Sequence, residues 1–347
     1  MRERPNILEQ ELRACLWDQY GIAAVTLEFL PLGLDTRAGV YRVVSEAGTA
    51  WLLKATSRTC YEPACRVPRY LRDQGIVSVV APLPTKRGAL WTQEETAGAG
   101  AWMLMLYPFI VGASGWNPWM TDAQWQAVGT TLRQIHQIEL PSEGFASLRK
   151  ETFDPGEYSR WVDGFEKCHI TANNHESGSQ SEQAFRLCWM AHQATIHAAL
   201  TTLETLAGAL QARSGPHVIC HADLHPGNLI RDAADQVLVV DWDDVMLAPK
   251  ERDFLFIGGA PVDAVARRAL SPFFQGYGET EIDWVALTYY LWERVVQDVI
   301  ECAQTVFFRD DVGDGTKAEE TQLFQRIFAD GIIISAARTA LARLRLG

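Results

Sequence analysis

Hydrophobic residues change their spacing once along the chain, near residue 107. Before that point, a short amphipathic helix is predicted at residues 6–20. β-prone runs follow it, and Glu46–Gly48 is predicted to join two of them as a hairpin. A short helix is predicted near residues 62–73. The other predicted strands are Val40–Val44, Trp51–Ala55, Val77–Val80, Leu90–Thr92 and Trp102–Tyr107. This pattern predicts a sheet with one embedded helix.

After residue 109 the apolar residues recur at helical spacing. Thr121-Asp-Ala-Gln124 has the pattern of a capping box, which predicts the start of a helix. Residues 171–183 contain almost nothing apolar and predict an exposed loop. Later helices are predicted at 184–212, 283–307 and 321–344, with the polar run 309–320 before the last. We therefore expect an α+β fold whose N-terminal region is rich in β-strands and whose C-terminal region is helical.

The composition excludes some partners. With 31 Lys and Arg against 43 Asp and Glu, the net charge is −12, which argues against a nucleic acid and is compatible with a cationic small molecule. The seven cysteines are scattered without a Cys-x-x-Cys pair and are expected to be reduced. Neither a signal sequence nor a run of about eighteen uncharged apolar residues is present, so we expect a cytoplasmic protein without a membrane partner.

The segment from His221 to Asp243 carries the most informative chemistry. Two short runs, Leu229–Arg231 and Val237–Val240, predict a hairpin that would bring Asn228 beside Asp241. An amide oxygen and a carboxylate that converge in this way suit Mg²⁺, a hard cation that prefers oxygen ligands. Asp223, on the preceding loop, is then a candidate base for an attacking hydroxyl.

A lysine for nucleotide phosphates is expected at Lys54, at the end of the run Trp51-Leu-Leu-Lys54. Glu62, on the helix that follows, is the predicted ion-pair partner of this lysine. Each feature alone has an ordinary explanation: a polar loop with a helix cap, a surface lysine on a strand, or a glutamate at a helix start. Their occurrence together, in this order, favours a kinase.

These residues resemble the aminoglycoside phosphotransferase and choline kinase family, which has a two-lobed fold like that of protein kinases. Other segments are similar to the spectinomycin-type branch of that family: Tyr107–Ile110, Leu132–His136, Met246–Asp253, Phe256–Gly259, Phe274–Gly278 and Tyr290–Arg294. The resemblance implies a nucleotide-binding lobe at residues 1–107. It also implies a helical lobe at residues 108–347 that carries the catalytic loop and the acceptor site.

The resemblance also assigns roles to individual residues. Asp223 is implied to be the catalytic base, and Asn228 and Asp241 the ligands of Mg²⁺. Lys54 and Glu62 are implied to orient the phosphates of ATP or GTP, while Thr36 either touches phosphate or belongs to a plain turn. The adenine is expected to bind backbone groups of Leu106, Tyr107, Pro108, Phe109 and Ile110. His221 is expected to be structural, and Asp253 either braces the catalytic loop or is a surface aspartate at a helix start.

The acceptor is the least determined part of the prediction. Carboxylates that would hold a cationic acceptor are Asp243, Asp244, Glu293, Asp298 and Glu301, although those on the late helix could equally form a solvated acidic face. Trp116 and Trp119 could stack on an acceptor ring or cover a core.

Three functions stay open at this stage. One is an ATP- and Mg²⁺-dependent O-phosphotransferase that inactivates a spectinomycin-like aminocyclitol and so gives antibiotic resistance. The second is a metabolic kinase for a choline-like, homoserine-like or sugar acceptor. The third is a catalytically silent nucleotide-binding protein. Under each of the three functions the protein is expected to be a monomer or a homodimer.

Overall fold

The computed structural model describes residues 4–32, 38–96, 100–117, 119–141, 143–171, 178–213, 215–259, 261–310, 312–329 and 332–346. The chain divides into two compact units, one formed by Met1–Arg149 with His221–Met246 and the other by Lys150–Cys220 with Leu247–Gly347. These units are defined by contacts within the chain, and their bounds are not those of the predicted functional lobes. The lobes 1–107 and 108–347 stay a prediction.

The strands are β1 (Ala24–Leu30), β2 (Ala38–Ser45), β3 (Ala50–Thr56), β4 (Thr92–Thr96), β5 (Gly100–Pro108), β6 (Gly112–Ser114), β7 (Val218–Cys220), β8 (Leu229–Asp232), β9 (Val237–Val239) and β10 (Met246–Ala248). The α-helices are α1 (Glu9–Cys15), α2 (Pro63–Asp73), α3 (Asp122–Gln137), α4 (Gly156–Phe165), α5 (Gln180–Gln211), α6 (Pro261–Ala266), α7 (Pro272–Tyr277), α8 (Trp284–Phe308), α9 (Asp314–Ala329) and α10 (Ile332–Leu346). Strands gather toward the N-terminus and helices toward the C-terminus, which confirms the predicted α+β class.

The first unit contains a five-stranded antiparallel sheet in the order β1-β2-β3-β5-β4. The hairpin predicted at Glu46–Gly48 joins β2 to β3, and the Ser45 amide donates to the Thr49 carbonyl at 3.0 Å. One face of the sheet is covered by α1 and the helical turn Leu16–Tyr20. The core between them contains Leu12, Leu16, Leu27, Tyr41, Val43, Leu53, Ala55, Trp102, Leu104 and Leu106. In this register Lys54 pairs with Met105 of β5, so the lysine lies in a central strand.

Two of the predicted strands are wrong in detail. Val77–Val80 forms only a single parallel bridge, at Val79 with Val239, and in the run Leu90–Thr92 only Thr92 belongs to a strand, as the first residue of β4. Val79 and Val80 are buried, and Leu90 and Trp91 pack against a core cluster. Burial of this kind gives the same sequence pattern as a strand.

The hairpin predicted from Leu229–Arg231 and Val237–Val240 is confirmed. β8 and β9 pair with Leu229 opposite Val239, and β6 adds a third strand on the other side of β8. The Asp232 carboxylate closes the turn by accepting from the amides of Ala234 and Gln236, both at 2.9 Å. An aspartate side chain that bonds the backbone two residues ahead is a common way to fix a turn. The hairpin is therefore held by local chemistry that the sequence already contains.

The helices of the second unit begin and end partly where the sequence predicts. The predicted helix 184–212 begins earlier, at Gln180, because Ser179 and Glu182 form a capping box that lies inside the run predicted to be a loop. The polar run 309–320 is also largely helical, since α9 begins at Asp314. Aromatic side chains of α4, α5, α8 and α9 pack together in this unit, among them Phe165, Phe185, Trp189, Phe307 and Phe324. In the first unit, α3 has the predicted capping box at Thr121 and Gln124.

Over the ranges of the chain that the structure describes, none of the helices is long and apolar enough to cross a membrane.

Candidate active site

His221 anchors the loop that carries the candidate base. Its side chain is fully buried and packs against the Trp242 ring at 4.7 Å between centroids. The Asp223 amide donates to His221 Nδ1 at 3.3 Å, and His221 Nε2 lies 2.9 Å from the Val240 carbonyl oxygen. Because Nδ1 accepts, the proton of the neutral ring is on Nε2, which donates to Val240. The histidine thus ties the loop to the end of the hairpin.

Asp223 and Asn228 are brought together by the turn between them. Asn228 Nδ2 donates to the Asp223 carbonyl at 2.9 Å and to Asp223 Oδ2 at 3.3 Å. The Val240 amide donates to the Asn228 carbonyl at 3.0 Å, which places Asn228 next to the residue before Asp241. The convergence of Asn228 and Asp241 that the hairpin predicts is therefore present in the backbone.

Asp241 has a left-handed backbone conformation with a φ of 63°. Few residues other than glycine adopt this conformation, and aspartate and asparagine do so more often than most. Ala222, beside the candidate base, has a φ of 69°. Unusual backbone of this kind is concentrated at functional sites, where the surrounding structure holds it in place.

Lys54 connects the sheet to the hairpin. Its Nζ lies 2.8 Å from Asp241 Oδ1 and 2.7 Å from Asp243 Oδ2, and its side chain is 13% exposed. Burial alone would lower the pKa of the Lys54 ammonium, but the two carboxylates outweigh burial and raise that pKa above its usual value. Desolvation likewise favours the neutral form of Asp241, yet the charge of Lys54 holds the Asp241 pKa below its ordinary value. The lysine is therefore a firmly charged cation at this site.

The prediction that Lys54 pairs with Glu62 is wrong for this conformation of the chain. Glu62 Oε2 instead accepts from Arg66 Nε at 3.0 Å, one turn along the helix, and the Glu62 side chain is 47% exposed. An ion pair between residues i and i+4 on a helix forms locally. The partners of Lys54 come from a hairpin that is distant in sequence, so no local pattern points to them.

A cation–π contact that the sequence does not reveal lies beside Asp243 and Asp244. The Arg149 guanidinium stacks over the Tyr61 ring at 4.2 Å and donates to the Asp243 carbonyl at 2.9 Å. Tyr61 in turn donates to the Val245 carbonyl at 2.7 Å and accepts from the Arg149 amide at 3.0 Å. These bonds attach the backbone that follows Asp241 to Tyr61, which lies just before α2. Arg149 Nη2 also lies 3.4 Å from Asp244 Oδ1.

The predicted adenine-binding segment forms the end of β5 and the residues after it. The Leu106 carbonyl accepts from the Leu83 amide at 2.7 Å, and the Phe109 amide donates to the Ala50 carbonyl at 3.4 Å. Tyr107 donates through its hydroxyl to Met105 Sδ at 3.7 Å, and burial raises the pKa of the Tyr107 phenol well above its usual value. Pro108 ends the strand and Ile110 follows it. Thr36, the predicted phosphate contact, lies outside the described residues.

The predicted acceptor carboxylates fall into two groups. In the first unit, Asp243 and Asp244 face the cations Lys54 and Arg149. In the second unit, Asp298 pairs with Arg294 at 2.7 Å on the surface of α8, and Glu301 is exposed.

Glu293 is different from the other acceptor candidates because its side chain is buried. It forms an ion pair with Arg252 and accepts from Tyr158 at 3.2 Å and Tyr289 at 3.3 Å. These three partners belong to the same unit as Glu293. A role of Glu293 in acceptor binding stays a prediction. In this structure its carboxylate holds Arg252, Tyr158 and Tyr289 together in the interior of the unit.

Asp253, in the second unit, is only 1% exposed. This burial excludes the alternative of a surface aspartate. The pKa of the Cys220 thiol, at the end of β7, is raised well above its usual value. Burial is the larger cause, and the negative charge of Asp253 is the second. Asp253 is therefore close to the strand that leads into the catalytic loop, which supports the predicted bracing role.

Trp116 and Trp119 form an exposed aromatic pair in the first unit. Their ring centroids are 5.9 Å apart, and their side chains are 46% and 43% exposed. Trp119 also contacts Trp125 of α3, while Trp116 stacks on His225 of the catalytic loop at 6.2 Å. The pair thus lies against the loop that carries Asp223.

Comparisons with known proteins identify the family of the chain. Residues 26–289 match the phosphotransferase enzyme family. The crystal structure of spectinomycin phosphotransferase APH(9)-Ia with ADP and spectinomycin is 30% identical over 97% of this chain and 99% of that chain, with a TM-score of 0.83. The AMP-bound complex of spectinomycin phosphotransferase APH(9)-Ia is 29% identical, with coverages of 95% and 98% and a TM-score of 0.78.

More distant structures share the fold. Amicoumacin kinase hAmiN, in complex with AMP-PNP, Ca²⁺ and Ami, is 19% identical over 92% of both chains, with a TM-score of 0.60. A comparison with curated protein sequences gave no significant match.

Proposed function

The chain belongs to the phosphotransferase enzyme family, and we propose that it is an ATP- and Mg²⁺-dependent O-phosphotransferase for a spectinomycin-like aminocyclitol. Membership makes it a kinase that acts on a hydroxyl group of a small molecule. The observation that carries the finer proposal is the grouping of Lys54, Asp223, Asn228 and Asp241 in one unit, together with the 30% identity to a spectinomycin phosphotransferase over nearly the whole chain.

The donor set fits Mg²⁺. Asn228 directs its Nδ2 to Asp223, which leaves the amide oxygen Oδ1 as its ligand atom for a cation. Asp241 supplies a carboxylate whose pKa is already low. Oxygen donors of these two kinds are what a hard divalent cation prefers. When bound, Mg²⁺ would offset negative charge on the phosphate oxygens.

Lys54 has the properties of a phosphate-binding lysine. It is a nearly buried ammonium whose present partners are Asp241, the predicted metal ligand, and Asp243, a predicted acceptor carboxylate. We propose that Lys54 donates to the nucleotide phosphates when ATP binds, because a compact cation is well suited to a phosphate. Glu62 is not needed to hold the lysine in the present conformation.

Asp223 is the group placed to accept the proton of the attacking hydroxyl. The bond from Asn228 Nδ2 to Asp223 Oδ2 fixes the carboxylate, and the bond from the Asp223 amide to His221 fixes its backbone. A base held in this way removes the hydroxyl proton as the oxygen attacks phosphorus.

The acceptor is proposed to be cationic. Asp244 is half-exposed beside the site, and the net charge of −12 favours the approach of a cation. A metabolic kinase for choline, homoserine or a sugar is the second candidate, and the distant kinases of this fold show only that the fold serves several acceptors. The complete set of Lys54, Asp223, Asn228 and Asp241 argues against a catalytically silent protein.

The test of the proposed function is a screen of ADP release. We expect ATP, Mg²⁺ and spectinomycin to give faster ADP release than ATP and Mg²⁺ alone. Choline, homoserine and glucose are run in parallel. Stimulation by one of these compounds, and none by spectinomycin, would reject the aminocyclitol and support the metabolic kinase. Nucleotide binding without stimulated release by any compound would reject both.

Mg²⁺ dependence gives a second test. We expect chelation by EDTA to stop acceptor-dependent ADP release. We expect Asp241→Asn to lower kcat by about 10²-fold, because metal coordination contributes several kcal/mol of transition-state stabilisation. Asp73→Asn is the matched control, since Asp73 pairs with Arg69 on the surface of α2 in the same unit. Equal activities of Asp241→Asn and the control variant would remove Asp241 from the metal site.

A further inference from the structure

His225, two residues after the candidate base, is held in one orientation by the backbone of its own turn. The Gly227 amide donates to His225 Nδ1 at 2.9 Å. Because Nδ1 accepts this bond, the proton of the neutral ring lies on Nε2. His225 Nε2 lies 3.5 Å from Asp223 Oδ2, and both side chains are 25% exposed. The imidazole therefore presents an N–H group to the carboxylate of Asp223.

Two neighbours, Gly227 and Trp116, also pack closely against the ring. A Cβ atom at Gly227 would lie 2.5 Å from His225 Cε1, 2.7 Å from Nδ1 and 3.0 Å from Trp116 Nε1, so only glycine fits there. Trp116 stacks on His225 with 6.2 Å between ring centroids and 24° between ring planes.

Trp116 is itself fastened to the catalytic loop. The amide of Gly115, its neighbour, donates to the carbonyls of Pro226 and Leu229, both at 2.8 Å. β6, which precedes it, pairs with β8 of the hairpin. These backbone bonds hold Trp116 next to the loop that carries His225.

We propose that His225 is a positioning residue for Asp223, and that Trp116 and Gly227 hold its ring for this purpose. The inference rests on the proposed function, since it concerns the same base. Asp223 Oδ2 accepts from Asn228 Nδ2 at 3.3 Å and faces His225 Nε2 at 3.5 Å, a separation longer than an ordinary N–H···O hydrogen bond. Two donors on one oxygen fix the rotation of the carboxylate, and a base with a fixed rotation reacts more often in a productive geometry. Catalytic hydrogen bonds are often long before substrate binds and then shorten.

The test compares two substitutions that separate the ring from its N–H group. His225→Phe keeps a ring for Trp116 and lacks the donor, while His225→Gln lacks the ring and keeps an N–H group near the position of Nε2. We expect His225→Phe to lower kcat by about 10²-fold, the loss typical of a misplaced catalytic group. The acceptor KM and the ADP Kd should stay near the wild-type values. His225→Gln should recover most of kcat.

Several outcomes decide the inference. A wild-type kcat in His225→Phe, or a kcat in His225→Gln no higher than in His225→Phe, would overturn it, as would a loss that appears only in KM. If His225→Phe does not fold, as judged by thermal melting, His225→Ala takes its place in the same comparison. The assay uses spectinomycin, or otherwise the compound that most stimulates the wild type. If none does, the proposed function fails by itself, and ATP hydrolysis without acceptor supplies the kcat for the comparison.

Discussion

Replacement of Asp223 by asparagine should reduce acceptor-dependent ADP release by about 10²- to 10⁴-fold, the contribution usual for a positioned general base. Asparagine has nearly the same shape and still offers an oxygen to the Asn228 amide, which bonds Asp223 at present. Its side chain cannot take the proton of the attacking hydroxyl. We therefore expect a folded protein that binds ADP as the wild type does and lacks transfer. Initial rates at saturating ATP and acceptor measure this loss.

A matched control separates loss of the base from loss of charge. Asp73→Asn removes one negative charge from the same unit at an exposed position and should leave the rate unchanged. Should Asp223→Asn keep a rate within a few-fold of this control, Asp223 would not be the base. The proposed mechanism would then need another proton acceptor.

Replacement of Glu293 by glutamine should lower the free energy of unfolding by about 3–5 kcal/mol, the cost usual for breaking a buried ion pair from one side. The Arg252 guanidinium would then be left buried without its carboxylate. Burial raises the pKa of Glu293, while the charge of Arg252 opposes this shift, so each group depends on the other. Denaturant unfolding of the full chain measures the change.

Asp298→Asn serves as the comparison on the same helix. Its pair with Arg294 is partly exposed, and the loss of such a pair usually costs less than about 1 kcal/mol. If Glu293→Gln instead unfolded like the wild type and raised the acceptor KM, Glu293 would be an acceptor ligand, as its sequence position first suggests. The same pair of variants thus tests the structural and the acceptor roles of α8.

Features that depend on neighbouring residues were predictable from the sequence. The hairpin at β8 and β9 follows from two apolar runs and the aspartate turn between them, and the helix start at Thr121 follows from its capping box. The spacing of Asp223, Asn228 and Asp241 predicts one site, because a hairpin of that length returns the chain to its starting point. In the structure Asn228 bonds Asp223 and the residue before Asp241. Ser179 and Glu182 also form a local capping-box pattern in the sequence, and this pattern marks the true start of α5.

Features that depend on distant residues were not predictable in the same way. Lys54 was expected to pair with Glu62, which is near in sequence, but its partners Asp241 and Asp243 come from the hairpin. Arg149 stacks on Tyr61, but the two residues are far apart in the sequence and no local motif links their segments. Glu293 looks like an exposed acidic residue on a helix, and only the packing around Arg252 shows that it is buried.

The most direct test of the central claim is the mass of spectinomycin after incubation with the protein, ATP and Mg²⁺. The site of Lys54, Asp223, Asn228 and Asp241 predicts that spectinomycin gains one phosphoryl group with the wild type and none with Asp223→Asn. Unmodified spectinomycin with the wild type would contradict the proposed acceptor. A phosphorylated product that forms equally fast with Asp223→Asn would contradict the proposed chemistry.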